Sequence, residues 1–231
     1  MHNPSVTYIM AAFNNEATIS KSINSILAQD YCNFNILLLD DGSSDSTYDI
    51  MKKFADDSNK IKVLRNSKNL GLTKSLNILI NQSNSEFISR QDADDFSYPN
   101  RTSSQMKFLI ENQLDACTAI AVRSDNNKNI PRVIRYVPLR LITKYKNPFI
   151  HGTLLVNRKK LNSVNNYDEN FELAQDYKLM LDFIKKKYKV KIQKKVLYQI
   201  NMENNISSLR IKDQNYYANC AKKGIVPLEK R

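Results

Sequence analysis

Through the first hundred residues, short apolar runs alternate with stretches in which apolar residues recur every three or four positions. Residues 6–12 read as a buried strand. Ile19, Ile23, Ile26 and Leu27 then follow at helical spacing, behind the capping candidates Asn14 and Asn15. Residues 34–39 (Phe-Asn-Ile-Leu-Leu-Leu) form a second strand, stopped by Asp40-Asp41-Gly42-Ser43. A helix over 46–55 carries Ile50, Met51 and Phe54 on one side, and a third strand spans 61–64. A helix over 72–79 turns Leu72, Leu76 and Leu79 inward, and a fourth strand, 86–89, runs into Asp92-Ala93-Asp94-Asp95. Repeated strand–helix order with short apolar strands predicts an α/β fold around a doubly wound, mostly parallel sheet. Ligands of such sheets bind beyond the carboxyl ends of the strands, and both acidic clusters fall there.

The pattern then loosens. A helix is expected over 99–112, a strand over 116–122, a polar loop over 124–129 and a strand over 150–156. A helix over 176–186 has its apolar residues spread wide around it. Residues 190–200 hold one or two strands, and 211–223 a terminal helix. Without an internal repeat or a linker, the reading is one domain over 1–205 and a short basic tail over 206–231.

Composition changes this picture in three places. With 231 residues, 42% of them hydrophobic and 25% charged, the chain can bury a full core and is not a disordered segment. A net charge of +12, with much of the excess after residue 122, suits a phosphorylated substrate, an anionic membrane surface or nucleic acid, or only a solvated basic surface. No nucleic-acid-binding motif accompanies it. Cys32, Cys117 and Cys220 lack the spacing of a disulfide framework or a zinc site. No signal peptide or membrane span is read, so the expected location is cytoplasmic, with peripheral attachment to the inner face of the cytoplasmic membrane.

Asp92, Asp94 and Asp95 crowd three carboxylates into one turn, where mutual repulsion favours a bound cation. The alternative is a turn whose Asp residues cap the next helix. In the Asp40-Asp41-Gly42-Ser43-Ser44-Asp45 turn, one carboxylate could accept the imide N–H of a uracil or thymine, or the segment could be only a strand-to-helix turn.

Several segments, in order, resemble family 2 glycosyltransferases. They are Val6 through Glu16, Ser25-Ile-Leu-Ala-Gln-Asp-Tyr, Leu39-Asp-Asp-Gly-Ser-Ser-Asp, Asn69-Leu-Gly-Leu-Thr-Lys-Ser-Leu-Asn and Ser89-Arg-Gln-Asp-Ala-Asp-Asp with Pro99-Asn-Arg. Asn147-Pro-Phe-Ile-His and Ala174-Gln-Asp-Tyr-Lys-Leu continue the likeness, which covers about residues 5–200. The resemblance implies a GT-A fold with a Rossmann-like nucleotide-binding half (about 1–100) and a smaller acceptor half (101–205). It implies transfer of a sugar from a UDP-sugar to a hydroxyl acceptor with inversion, in synthesis of a capsule, lipopolysaccharide or other bacterial surface glycan.

By the same resemblance, Ala11 and Phe13 line the base pocket, Asp41 meets the base imide with Asp40 beside it, and Lys74 lies near the base or diphosphate. Asp92 faces the ribose or donor sugar. Asp94 is the principal ligand of a divalent Mn or Mg ion, and His151 is a candidate contact to metal or phosphate. Asp176 is the catalytic base. The partners implied are a nucleotide-sugar donor, a glycan or lipid-linked glycan acceptor and an anionic membrane surface touched by the tail (Lys222, Lys223, Lys230, Arg231), but no nucleic acid. Asn165-Asn166 stand where the family often has a Gly pair, and Asn tolerates positive φ. Two other readings stay open. A sugar-nucleotidyltransferase would want a Gly-rich loop where Asn14-Asn15-Glu16 stands. A non-enzymatic basic module would bind nucleic acid or membrane.

Overall fold

The computed structural model describes residues 3–131, 139–202 and 210–228. The first hundred residues follow the expected alternation: β1 (Val6–Ala12), α1 (Ile19–Leu27), β2 (Phe34–Asp40), α2 (Thr47–Asp56), β3 (Ile61–Arg65), α3 (Leu72–Gln82) and β4 (Phe87–Arg90). These four strands are parallel, in the order β3-β2-β1-β4. β1 and β2 are buried along almost their whole length, which is why they read as near-continuous apolar runs rather than alternating ones. One face of the sheet packs on Ile19, Ile23, Ile26 and Met51, the other on Leu76, Leu79 and Ile80.

The rest of the chain extends the same sheet. It consists of β5 (Phe96–Ser97), α4 (Arg101–Glu111), β6 (Ala116–Arg123), β7 (Asn129–Ile130), α5 (Leu139–Ile142), β8 (Leu155–Asn157), α6 (Arg158–Asn162), α7 (Gln175–Lys185), β9 (Val190–Ile200) and α8 (Ile211–Lys223). The full order is β3-β2-β1-β4-β8-β6-β9-β5, with β7 on β6. β8 runs antiparallel to both β4 and β6, while β6 and β9 are parallel. The start of β8 therefore lies at the same sheet edge as the end of β4.

Two expectations are corrected. Residues 150–156 are not one strand: a 3-10 turn over His151–Thr153 precedes β8. The backbone N–H and the hydroxyl of Thr153 both donate to Ile150 O (3.0 and 2.8 Å), closing that turn. The loop over 124–129 ends in a short bridge, β7, paired with β6. Residues 190–200, expected to hold one or two strands, form one, whose register against β6 shifts around Ile120. The Asn165-Asn166 pair does take the left-handed conformation, at φ 63° and 60°. α8 packs Tyr217, Cys220 and Ala221 against Phe171 and Tyr177, with Lys222 and Lys223 in its last turn. The boundary expected near 205, and Lys230 and Arg231, lie outside the described residues.

Arg101, at the start of α4, is fully buried beneath the acidic turn. Its guanidinium donates to Gln105 Oε1, Gln91 Oε1, Ser97 Oγ, Ser89 Oγ and Arg90 O at 2.7–3.1 Å, and lies over the rings of Tyr8 and Tyr198. All five N–H groups are thus used on neutral acceptors that bracket the turn. Truncation to Ala would remove five donors from these acceptors and open a cavity, with Gln91 Oε1 keeping only its bond from Ser97 Oγ. Arg101→Ala should cost about 3–5 kcal/mol in chemical denaturation. A loss under about 1 kcal/mol would mean the network is dispensable.

Candidate active site

Ala12 pairs with Asp40, and Asp40 with Arg65, so the first three strands end level with one another. The turns after β1 and β2 are laced together. Asp41 N donates to Ala12 O (2.8 Å), Asn14 N to Ser43 Oγ (2.9 Å) and Asn15 N to Thr47 Oγ1 (2.7 Å). Asp40 is fully buried and pairs with Arg65 Nε at 3.0 Å, while Ser43 N donates to both its oxygens. Asp41 holds the loop after β3. Its Oδ1 accepts from Asn66 Nδ2 (2.7 Å) and Leu70 N (2.9 Å), and its Oδ2 from Gly71 N (2.9 Å). Gly42 sits at φ 77°, where an added Cβ would fall 2.7 Å from the backbone carbon of Lys68. This close approach requires glycine.

Beside these turns an open hollow of about 370 Å³ is lined by Gly42, Ser43, Arg65, Asn66 and Ser67. Phe13 is 44% exposed, Ala11 is half-buried, and Lys74 is exposed on the first turn of α3, three residues past Gly71.

The second cluster is built on Arg90, the last residue of β4. Arg90 is almost completely buried and forms an ion pair with Asp92 Oδ2. Burial works against its charge, but the Asp92 carboxylate beside it overrides that and raises its pKa. The Arg90 charge also acts on Asp94, His151, Tyr167 and Asp176. The structure thus brings the acidic turn, His151 and the distant Asp176 around one guanidinium. Its Nε is buried with no partner among the described residues.

The three carboxylates of the turn differ. Asp92 N donates to the Tyr198 hydroxyl (3.1 Å), and Asp92 keeps a partly open side chain. Burial and the neighbouring Asp92 push Asp94 up to about 6. Among the described residues, no other residue donates a hydrogen bond to its oxygens. Asp95 is buried, accepts from Asn201 N (2.7 Å), and is pushed up to about 8 by burial, Asp92 and Asp94. Asp95 therefore ties the turn to the end of β9.

Asp176 stands on the first turn of α7. Ala174, at φ 55°, swings the chain into that helix. Asp176 Oδ2 accepts from Asn147 Nδ2 at 2.6 Å, and burial raises its pKa. Its side chain keeps an opening to the surface. His151 Nε2 is engaged with the Tyr167 hydroxyl at 2.7 Å, and burial, helped by Arg90, holds the imidazole neutral. Local sequence had not pointed to Tyr198, Tyr167 or Arg65. Each reaches the site from another strand or loop, and only the apolar pattern of its own segment marks it.

The family model for glycosyl transferase family 2 matches residues 7–171. The chain belongs to that family. Putative glycosyltransferase EpsE of Bacillus subtilis is 30% identical over 207 residues, 87% of this chain and 74% of the relative. A UDP-Glc:alpha-D-GlcNAc-diphosphoundecaprenol beta-1,3-glucosyltransferase of Escherichia coli, WfgD, is 29% identical over 181 residues, 78% of this chain and 70% of that protein. The crystal structure of S. aureus TarS 1-349 in complex with UDP-GlcNAc superposes with a TM-score of 0.77 at 20% identity, over 97% of this chain and 68% of that one. Such a likeness shows a shared fold, and the family 2 chain has the GT-A architecture. No helix among its described residues is long and apolar enough to cross a membrane.

Proposed function

We propose that this glycosyltransferase moves a sugar from a UDP-sugar to a hydroxyl of a growing bacterial surface glycan, with inversion and with Asp176 as general base. The observation that carries the reading is Asp176 itself. It is a carboxylate of raised proton affinity, open on one side, and gathered with Asp92 and Asp94 around Arg90 although more than eighty residues separate it from them in sequence. A carboxylate suits the step because the acceptor hydroxyl becomes acidic only as its oxygen bonds to the anomeric carbon. Asn147 and the backbone N–H of Tyr177 orient the carboxylate that takes the proton. Attack from the face opposite the leaving diphosphate inverts the anomeric centre in one displacement.

Donor binding falls to the strand ends. Asp41, oriented by three donors, has a lone pair left on Oδ2 for the imide N–H of uracil, with Asp40 behind it. Ala11 and Phe13 flank the base, and Lys74 approaches the base or diphosphate. Asp92 faces the ribose or donor sugar. The UDP-glucose in the name of WfgD and the UDP-GlcNAc bound to TarS support a UDP-sugar; the diphosphoundecaprenol in the former supports a lipid-linked glycan acceptor.

The residues fit a divalent ion held mainly by the donor. Asp94 is a carboxylate without another hydrogen-bond donor, crowded by Asp92, and no group of three or more ligating side chains converges among the described residues. Asp94 would hold Mn or Mg, with diphosphate oxygens and water completing the shell. His151, already bonded to Tyr167, would reach phosphate or metal only by giving up that partner. When bound, the ion would neutralise charge developing on the leaving diphosphate.

A thermal-shift comparison of UDP, GDP and CMP, each with and without Mn²⁺, tests the donor class. Saturating UDP with Mn²⁺ should add about 2–3 kcal/mol at a hundred times its Kd, with little effect from GDP or CMP. Equal shifts for all three, or none for UDP, would remove the UDP-sugar reading.

A further inference from the structure

We propose that the turn Lys144-Tyr145-Lys146 is the acceptor-recognition element, and that it selects an acceptor carrying a phosphate group close to the hydroxyl that is glycosylated. The proposal rests on the assignment of Asp176 as base. The turn is pinned at both ends to two residues in the first turn of α7. On one side the Tyr177 hydroxyl donates to Thr143 O; on the other, Asn147 Nδ2 donates to Asp176 Oδ2. Between those anchors the backbone is tightly folded, with Tyr145 N and Lys146 N both donating to Ile142 O at 2.9 Å. The turn is thus fixed against the base rather than loosely near it.

All three side chains between the anchors point to solvent. Tyr145 is 78% exposed, and Lys144 and Lys146 are exposed as well. Tyr145 lies only two residues from Asn147, so about 8 Å of chain at most separates its Cα from that of the residue holding the base. Nothing among the described residues accounts for this arrangement. Among the described residues neither lysine forms an ion pair, and the Tyr145 ring packs on no other ring. An aromatic face supplies a flat apolar platform with a polar edge, which matches a sugar ring.

The lysines answer an electrostatic problem. Asp92, Asp94 and Asp176 outnumber Arg90 in the cleft, and that excess of negative charge repels an anionic acceptor unless cations lie near its path. Two ammonium groups flanking the tyrosine supply them, and Lys is a point-charge partner for phosphate. Two sources could present the phosphate: a diphosphate linking the glycan to a lipid, or a phosphate on a soluble sugar.

Binding to the full chain saturated with UDP and Mn²⁺, so that the donor site is filled, separates these. The probes are octyl-diphospho-N-acetylglucosamine, N-acetylglucosamine 1-phosphate and the neutral octyl N-acetylglucosaminide, each measured by titration calorimetry. The octyl diphosphate should bind at least about tenfold tighter than the neutral glycoside. The double variant Lys144→Gln/Lys146→Gln should abolish that gap while UDP affinity and thermal midpoint stay as in the wild type. Tyr145→Ala should weaken charged and neutral probes alike. Tighter binding of the octyl diphosphate than of the 1-phosphate assigns the charge to a lipid linkage; equal binding assigns it to a soluble sugar phosphate. Equal binding of charged and neutral glycosides, a gap that survives in the double variant, or no binding of either phosphate compound overturns the proposal while the donor reading stands. A protein that does not bind UDP overturns the donor reading and the acceptor turn with it.

Discussion

Asp176→Asn should lower kcat by about 10²–10⁴-fold, the range expected when a positioned general base is lost. The substitution keeps the side chain's size and can preserve a hydrogen bond to Asn147 by an amide flip, so the fold and the UDP-induced thermal shift should survive. Wild-type kcat/KM should fall on acidification as the base takes up its proton. Because burial raises the proton affinity of Asp176, that fall should begin at a higher pH than for an ordinary carboxylate. The residual activity of Asp176→Asn should not show it. Steady-state kinetics across pH is the check, and near-normal turnover of the variant would end the base assignment.

Asp94→Asn should have two opposite effects. Transfer should drop by about 10²–10³-fold, because the carboxylate proposed to hold the ion is gone. The metal-free protein should nevertheless become more stable. The Asp94 carboxyl is raised from its ordinary 3.8 to about 6 in the folded chain, by burial first and Asp92 second. Between those two values the folded state binds more protons than the unfolded state, so stability falls as pH rises through the window and stays reduced above it. Removing the charge should recover about 1–2 kcal/mol near neutral pH. Asp95, raised to about 8, pushes in the same direction over a wider range. Mn²⁺ with UDP should reverse the sign, stabilising the wild type more than the variant, and more near pH 8 than near pH 5. Denaturant melts of both proteins, with and without the ion, settle it. A less stable metal-free Asp94→Asn would contradict the electrostatic account.

The donor side was legible because its signals are local. Mostly apolar segments of five to seven residues mark β1 to β3, and each acidic turn directly follows a strand in the same stretch of chain. Asp176 was reachable only through the family resemblance, since an acid in the first turn of a helix usually serves the helix. What escaped was short or distant. β5 and β7 are two residues each, below the length at which alternation is visible. The run over 150–156 has strand composition, yet Gly152 abuts the Tyr198 ring, where an added Cβ would lie 2.5 Å from the hydroxyl. That constraint comes from β9. Likewise the Tyr198 and Asn201 contacts to the acidic turn span 106 residues, a separation no local pattern reports.

The reversed direction of β8 has a practical consequence for engineering. The bonds that fix the Asp40–Asp41 turn all lie within the first half of the chain, whereas Asn147, His151, Tyr167 and Asp176 come from the second. The halves meet edge to edge where Phe87, Ile88 and Ser89 face Asn157, Val156 and Leu155. A chimaera that exchanges the second half between relatives therefore needs a matched junction at those three residue pairs and at the Phe96–Gln199 and Ser97–Tyr198 pairs. A graft that shifts either register by one residue would turn side chains to the opposite face of the sheet and displace the transplanted Asp176 from the Asp40–Asp41 turn.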